Sequence, residues 1–183
     1  MSESNRIAWS KDFFLKWSDY LAVPDPLSKF GALTRTTISQ ESRFFLHKTS
    51  SRFKFKISNI KLTAVFIPSI SWVKESDRNS IYQDQLLRHE QGHFDATEEL
   101  KRKMEHKLIL EIESKTFSSK GKTFDECSSY ADKETTEILR KKLASVIDDL
   151  KDFHKKYDKD TDYGRNIIAQ AEYDIRFAKL RLK

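Results

Sequence analysis

With a single cysteine, Cys127, the chain can form no intramolecular disulfide, and nothing in it argues for an oxidising compartment. That lone thiol, inside a helical stretch, reads as a small packing residue. No run approaches 18 apolar residues, and the opening MSESNRIAWSKDFFLKW lacks the basic-then-apolar order of a secretory signal. A membrane span is therefore not expected. As written, the chain is expected to be soluble and cytoplasmic; had a signal peptide been removed, it would be a secreted protein. Internal repeats and low-complexity tracts are absent too. Hydrophobic residues make up only 38% against 34% charged, yet 13 Phe and 3 Trp supply the side chains that bury most area each, so a folded core is expected. The 183 residues suit one domain, with a β-rich part over about 1–78 and a helical part over about 79–183. The net charge of +6 is spread along the chain. Runs such as Arg140-Lys141-Lys142 and the RFAKLRLK tail read as solvated helix faces, so a basic nucleic-acid binder is the weakest of the readings considered.

What is present divides by period. Residues 7–21 are aromatic-rich and end before Pro24 and Pro26, which mark a turn. In RFKFKISNI, 52–60, Phe53, Phe55 and Ile57 alternate with Lys54, Lys56 and Ser58, the pattern of a half-buried strand. A second β-rich run covers 61–73, with Pro68 pointing to an edge strand or bulge, and 34–48 is a third. These predict a small antiparallel sheet. From about residue 80, Leu86, Leu87, Phe94, Leu100, Met104, Leu108 and Ile112 recur at helical spacing. After a break at 117–122, a second long helix is predicted to about Tyr157, then a polar loop at 158–164, then a closing helix. The expected class is α+β, a small N-terminal sheet packed on the helix containing HEQGH and on two further helices.

HEQGH, residues 89–93, carries the chemistry. On a helix, His89 and His93 project about 40° and about 6 Å apart, as two ligands of one zinc ion require. Glu90 is rotated off that axis, where a general base acting on a metal-activated water should stand. For this composition, about 0.01 HExxH strings are expected by chance. Gly92 inside the helix costs about 1 kcal/mol against Ala, which implies that something approaches the backbone closely there.

A catalytic zinc needs a third protein ligand. The segment YDKDTDYG, 157–164, offers Asp158, Asp160 and Asp162, and the second long helix offers Glu126, Glu134 and Glu137. Among the other histidines, His106 lies about 20 Å along the same helix and cannot share the metal. His47 and His154 have no motif around them. All three are expected to be surface or hydrogen-bonded polar residues.

LLRHEQGHFDATE resembles the core signature of a little-characterised family of predicted bacterial Zn-dependent proteases within the HExxH (zincin, peptidase MA) clan. YDKDTDYG followed by Gln170 resembles that family's second signature, YDxxTxHG followed by Gln. Trp9, Asp12-Phe13 and Ser71-Trp72-Val73 are similar to further elements of it. The resemblance implies a zincin-like fold and hydrolysis of polypeptide substrate, expected in a monomer, with His89, His93 and Asp158 as zinc ligands and Glu90 as catalytic base. Where the family has His, this chain has Tyr163. A phenol can donate to a developing oxyanion as imidazole does, so Tyr163 is assigned that role; were the family histidine a ligand, the chain would instead be an inactive zincin-like binding domain. Zincin-type enzymes commonly add substrate as a strand to a sheet edge, which the resemblance places at Thr63–Trp72. Trp72 itself is expected to be core.

Overall fold

The alternation of Phe53, Phe55 and Ile57 with polar residues does build a strand, but one longer than its period suggests. The computed structural model describes residues 6–50 and 52–182. In it the two runs 52–60 and 61–73 are largely one strand, β4 (Phe53–Phe66), paired antiparallel with β3 (Thr36–Lys48) as a long hairpin. The reason lies at Asn59, which takes φ 53° in a β-bulge where the register shifts between Glu41 and Arg43. One extra residue in β4 switches which parity faces inward: Phe55 and Ile57 are buried before it, Ile60, Leu62 and Ala64 after it. Pro68 falls beyond the strand, in a 3₁₀ turn over Pro68–Ile70.

Short strands complete the sheet. β1 (Ile7–Ala8) pairs with the end of β4, and β6 (Phe117–Ser118) with its start, while β2 (Ala32–Leu33) and β5 (Trp72–Val73) form a separate pair. Between β1 and β6 the edge of β4 is closed by carboxylates: Glu113 accepts from the Ile60 N–H at 3.2 Å and Glu105 from the Leu62 N–H at 2.7 Å. Thr63–Phe66 thus lies between β3 and β1 and is no open edge. The expected substrate edge is overturned. Trp72 is core, as expected.

A short helix α1 (Glu75–Arg78) leads into α2 (Gln83–Leu108), which runs on as a π-turn over Ile109–Glu113. α3 (Phe124–Thr161) opens with a capping box between Thr123 and Glu126. Its buried stripe, Cys127, Ala131, Thr135, Leu139, Leu143, Val146 and Leu150, repeats every three to four residues and packs on the sheet and the far end of α2. The helix extends past Tyr157 to Thr161, so Asp158 belongs to its last turn rather than to a loop. It stops where Asp162 and Tyr163 adopt left-handed backbone, followed by Gly164. Finally α4 (Ile167–Arg181), capped by Asn166, lays Gln170 and Phe177 against α2 and α3. The class is α+β, as expected. No helix among the described residues is long and apolar enough to cross a membrane.

Candidate metal centre

A largely buried polar cluster forms where α2 and the last turns of α3 cross. That crossing is close because Gly92 has no side chain: a Cβ there would lie 2.1 Å from the Tyr157 hydroxyl. The approaching group anticipated at Gly92 is therefore Tyr157, whose ring stacks on His89 at 4.7 Å and whose hydroxyl donates to the His89 carbonyl at 3.1 Å. Gly164 serves a matching purpose. At φ 82° it turns the chain out of α3, and a Cβ there would strike the Cβ of His89 at 2.8 Å.

This packing brings together His89, His93 and Asp158. The Nε2 atoms of both histidines lie 3.1 Å from the same Asp158 oxygen, and one ligand atom from each of the three residues falls within 4.8 Å of the others. Bonds of about 2.0–2.1 Å in a tetrahedral site separate ligand atoms by about 3.3 Å, so each histidine already stands near that spacing from Asp158. Two imidazoles and a carboxylate form a donor set suited to zinc or a similar ion. These three residues could hold a metal ion.

Charge follows the geometry. Burial works to raise the Asp158 carboxyl, but the hydrogen bonds from His89 and His93 outweigh it and hold the group well below the usual carboxylate range. Burial likewise works against charge on His93, yet its hydrogen bond to Asp158 and the nearby Glu90 carboxylate raise it. The outer nitrogen of His89 is also engaged. Gln170 sends its amide N–H groups to Asp174 at 2.8 Å and to the Tyr157 hydroxyl at 2.8 Å, which turns its carbonyl oxygen toward His89 Nδ1 at 3.2 Å. Gln170, noticed in the sequence only as part of a signature, is thus the residue that orients His89.

Glu90 sits one position along, only 4% exposed, and its Oε2 is buried with no hydrogen-bond partner. A buried carboxylate oxygen without a donor is costly unless something occupies the space it faces. Tyr163, 39% exposed, lies against the Phe30 ring and lines a cleft together with His89, Glu90, His93, Asp158 and residues 30–35.

Other candidates for a third ligand point elsewhere. Asp160 accepts from Lys156 and from the Tyr173 hydroxyl at 2.6 Å, and Asp162 pairs with Arg165 at the C-cap of α3. Glu126 caps the far end of α3, Glu137 pairs with Arg140 and Lys141, and Glu134 lies about 36 Å along the helix from Asp158. The basic run is similarly consumed, since Lys142 pairs with Glu111.

His154, expected to be a surface or hydrogen-bonded polar residue, is hydrogen-bonded, but beside the candidate ligands, where no motif placed it. Its Nδ1 lies 3.0 Å from Nδ1 of His93, and burial, with His93 facing it, pushes its pKa down to about 3. His47, by contrast, only stacks on Phe45, and His106 is exposed. A signal for His154 existed: extending the buried stripe of α3 from Val146 and Leu150 by one more step lands on it. Comparison of the chain with protein-family models, with curated proteins and with solved structures finds no match.

Proposed function

We propose that the protein is a zinc-dependent metallopeptidase, with His89, His93 and Asp158 holding the ion, Glu90 as general base and Tyr163 as oxyanion donor. The observation that carries the reading is the buried, unpartnered Oε2 of Glu90 beside a site that could hold a metal. Zinc, when bound, supplies a Lewis acid that polarises a carbonyl and acidifies water. Glu90, adjacent to the ligands but not one of them, takes the proton and returns it to the leaving amine. Tyr163, in the cleft wall, donates to the oxygen on which negative charge develops. The peptide substrate lies along residues 30–35, where β2 is paired with β5 on one edge only among the described residues. That edge replaces the Thr63–Trp72 edge inferred from sequence.

Zinc content of the purified protein, alongside Glu90→Gln and Asp158→Ala, tests this. The expected result is about one zinc per chain, retained in Glu90→Gln and lost in Asp158→Ala. A peptide-library assay should then show cleavage by the parent, reduced at least about 10²-fold in Glu90→Gln. No zinc in the parent after incubation with the metal would end the reading; zinc without turnover would turn it into a binding domain.

A further inference from the structure

We infer that His154, with Thr36 and Thr97, is a positioning device that holds a proton of His93 on Nδ1 and so leaves Nε2, the nitrogen that faces Asp158, as the one a metal would take in place of its proton. The inference rests on the reading of His93 as a ligand, and its support is a closed ring of hydrogen bonds joining β3, α2 and α3.

The direction of that ring follows from its one obligate acceptor. Thr97 Oγ1 donates to the backbone carbonyl of His93, one turn earlier on α2, at 2.9 Å. A carbonyl cannot donate, so the Thr97 proton is committed and its oxygen must accept from Thr36 Oγ1 at 2.7 Å. The Thr36 proton is then committed in turn. Its oxygen is left to accept from Nε2 of His154 at 3.4 Å. A neutral imidazole with its proton on Nε2 has a bare Nδ1, which can only accept, and what faces it at 3.0 Å is Nδ1 of His93. His93 therefore carries a proton on Nδ1. Its other nitrogen is the one that faces Asp158 and completes the metal cluster.

His154 cannot be read as a further ligand, because it touches the ring nitrogen of His93 that points away from the cluster. Metal-binding histidines ordinarily give their second N–H to a carboxylate, a backbone carbonyl or water. Here a second histidine takes that place, and through Thr36 it ties the ligand to the strand that follows the cleft wall at Arg35.

Two measurements test this. In the metal-free folded protein, ¹⁵N spectra of the imidazoles should show His154 as the Nε2–H tautomer with an unprotonated Nδ1; an Nδ1–H tautomer would overturn the inference. Zinc affinity, by competition with a chelator, should fall about 10–100-fold in His154→Leu, which keeps bulk but loses the acceptor. His154→Asn, whose Oδ1 can stand where Nδ1 stood, should recover most of that loss. Parent-like affinity in His154→Leu, with folding confirmed by circular dichroism, would show that the acceptor does nothing. If the parent binds no zinc at all, the peptidase reading fails, while the tautomer measurement still decides whether the ring runs in the direction stated.

Discussion

Gly92 ties the candidate metal centre to the packing beneath it. In a solvated helix its replacement by Ala would gain about 1 kcal/mol, but here the new Cβ would sit 2.1 Å from the Tyr157 oxygen and 2.6 Å from the ring carbon that bears it. Overpacking of this kind costs about 1–3 kcal/mol or more. Gly92→Ala is therefore expected to lower unfolding free energy by up to about 2 kcal/mol and to weaken zinc binding, since Tyr157 is stacked on His89. Denaturant melts and zinc titration check both; a stabilised variant would mean that the helices separate at no cost. Tyr163 gives a prediction of a different kind. It is partly exposed and outside the candidate ligand set, so under the proposed function Tyr163→Phe should keep zinc and KM while kcat falls about 10²–10³-fold, the range for loss of one oxyanion donor. An unchanged kcat would assign that stabilisation to another group.

At the scale of elements, one buried ion pair joins α4, α2 and the N-terminal segment. Arg181, at the end of α4, reaches Asp95 on α2 at 2.7 Å and the carbonyls of Ser10, Lys11 and Phe13, while Trp9 donates to the same Asp95 oxygen at 2.6 Å. Both charged side chains are nearly buried. Asp95→Ala would leave the guanidinium uncompensated and is expected to cost about 3–5 kcal/mol in thermal or chemical unfolding. Arg181→Met added to it should restore part of that loss, so equal destabilisation by both changes independently would rule the pair out as a unit. These contacts also show what the sequence could and could not disclose. His89, Glu90 and His93 were legible because a helix places positions four apart together by local geometry alone. The parity switch at Asn59 hid one strand as two, since an alternation rule has no memory across a bulge. Asp158 reads as a loop residue in sequence because the end of its helix is dense in polar side chains, the composition of a loop. Arg181, Gln170 and His154 take their meaning from partners at least 61 residues away, and no local pattern carries that information.

For the whole molecule, the question is how far the fold depends on the ion. The largest buried cluster joins Ile38, Phe55, Ile57, Ile60 and Leu62 of the hairpin to Leu108 and Ile112 of α2 and its π-turn, and to Leu139, Leu143 and Val146 of α3. None of these is a candidate ligand. The candidate ligands come instead from the middle of α2 and the end of α3, a crossing held by Tyr157, Ala96 and Phe177 in a small cluster of its own. The metal-free protein should therefore fold, unlike small domains whose core is the metal site itself. Zinc binding the native but not the unfolded chain adds stability by mass action, about 2.7 kcal/mol at 100 times Kd. For a chain of this length that corresponds to a rise in Tm of about 5–10 °C. The parent and Glu90→Gln should both show it in differential scanning calorimetry, and Asp158→Ala should not. A metal-free protein that is already unfolded would place the ion inside the folding core, and a shift that survives in Asp158→Ala would place the metal somewhere other than between α2 and α3.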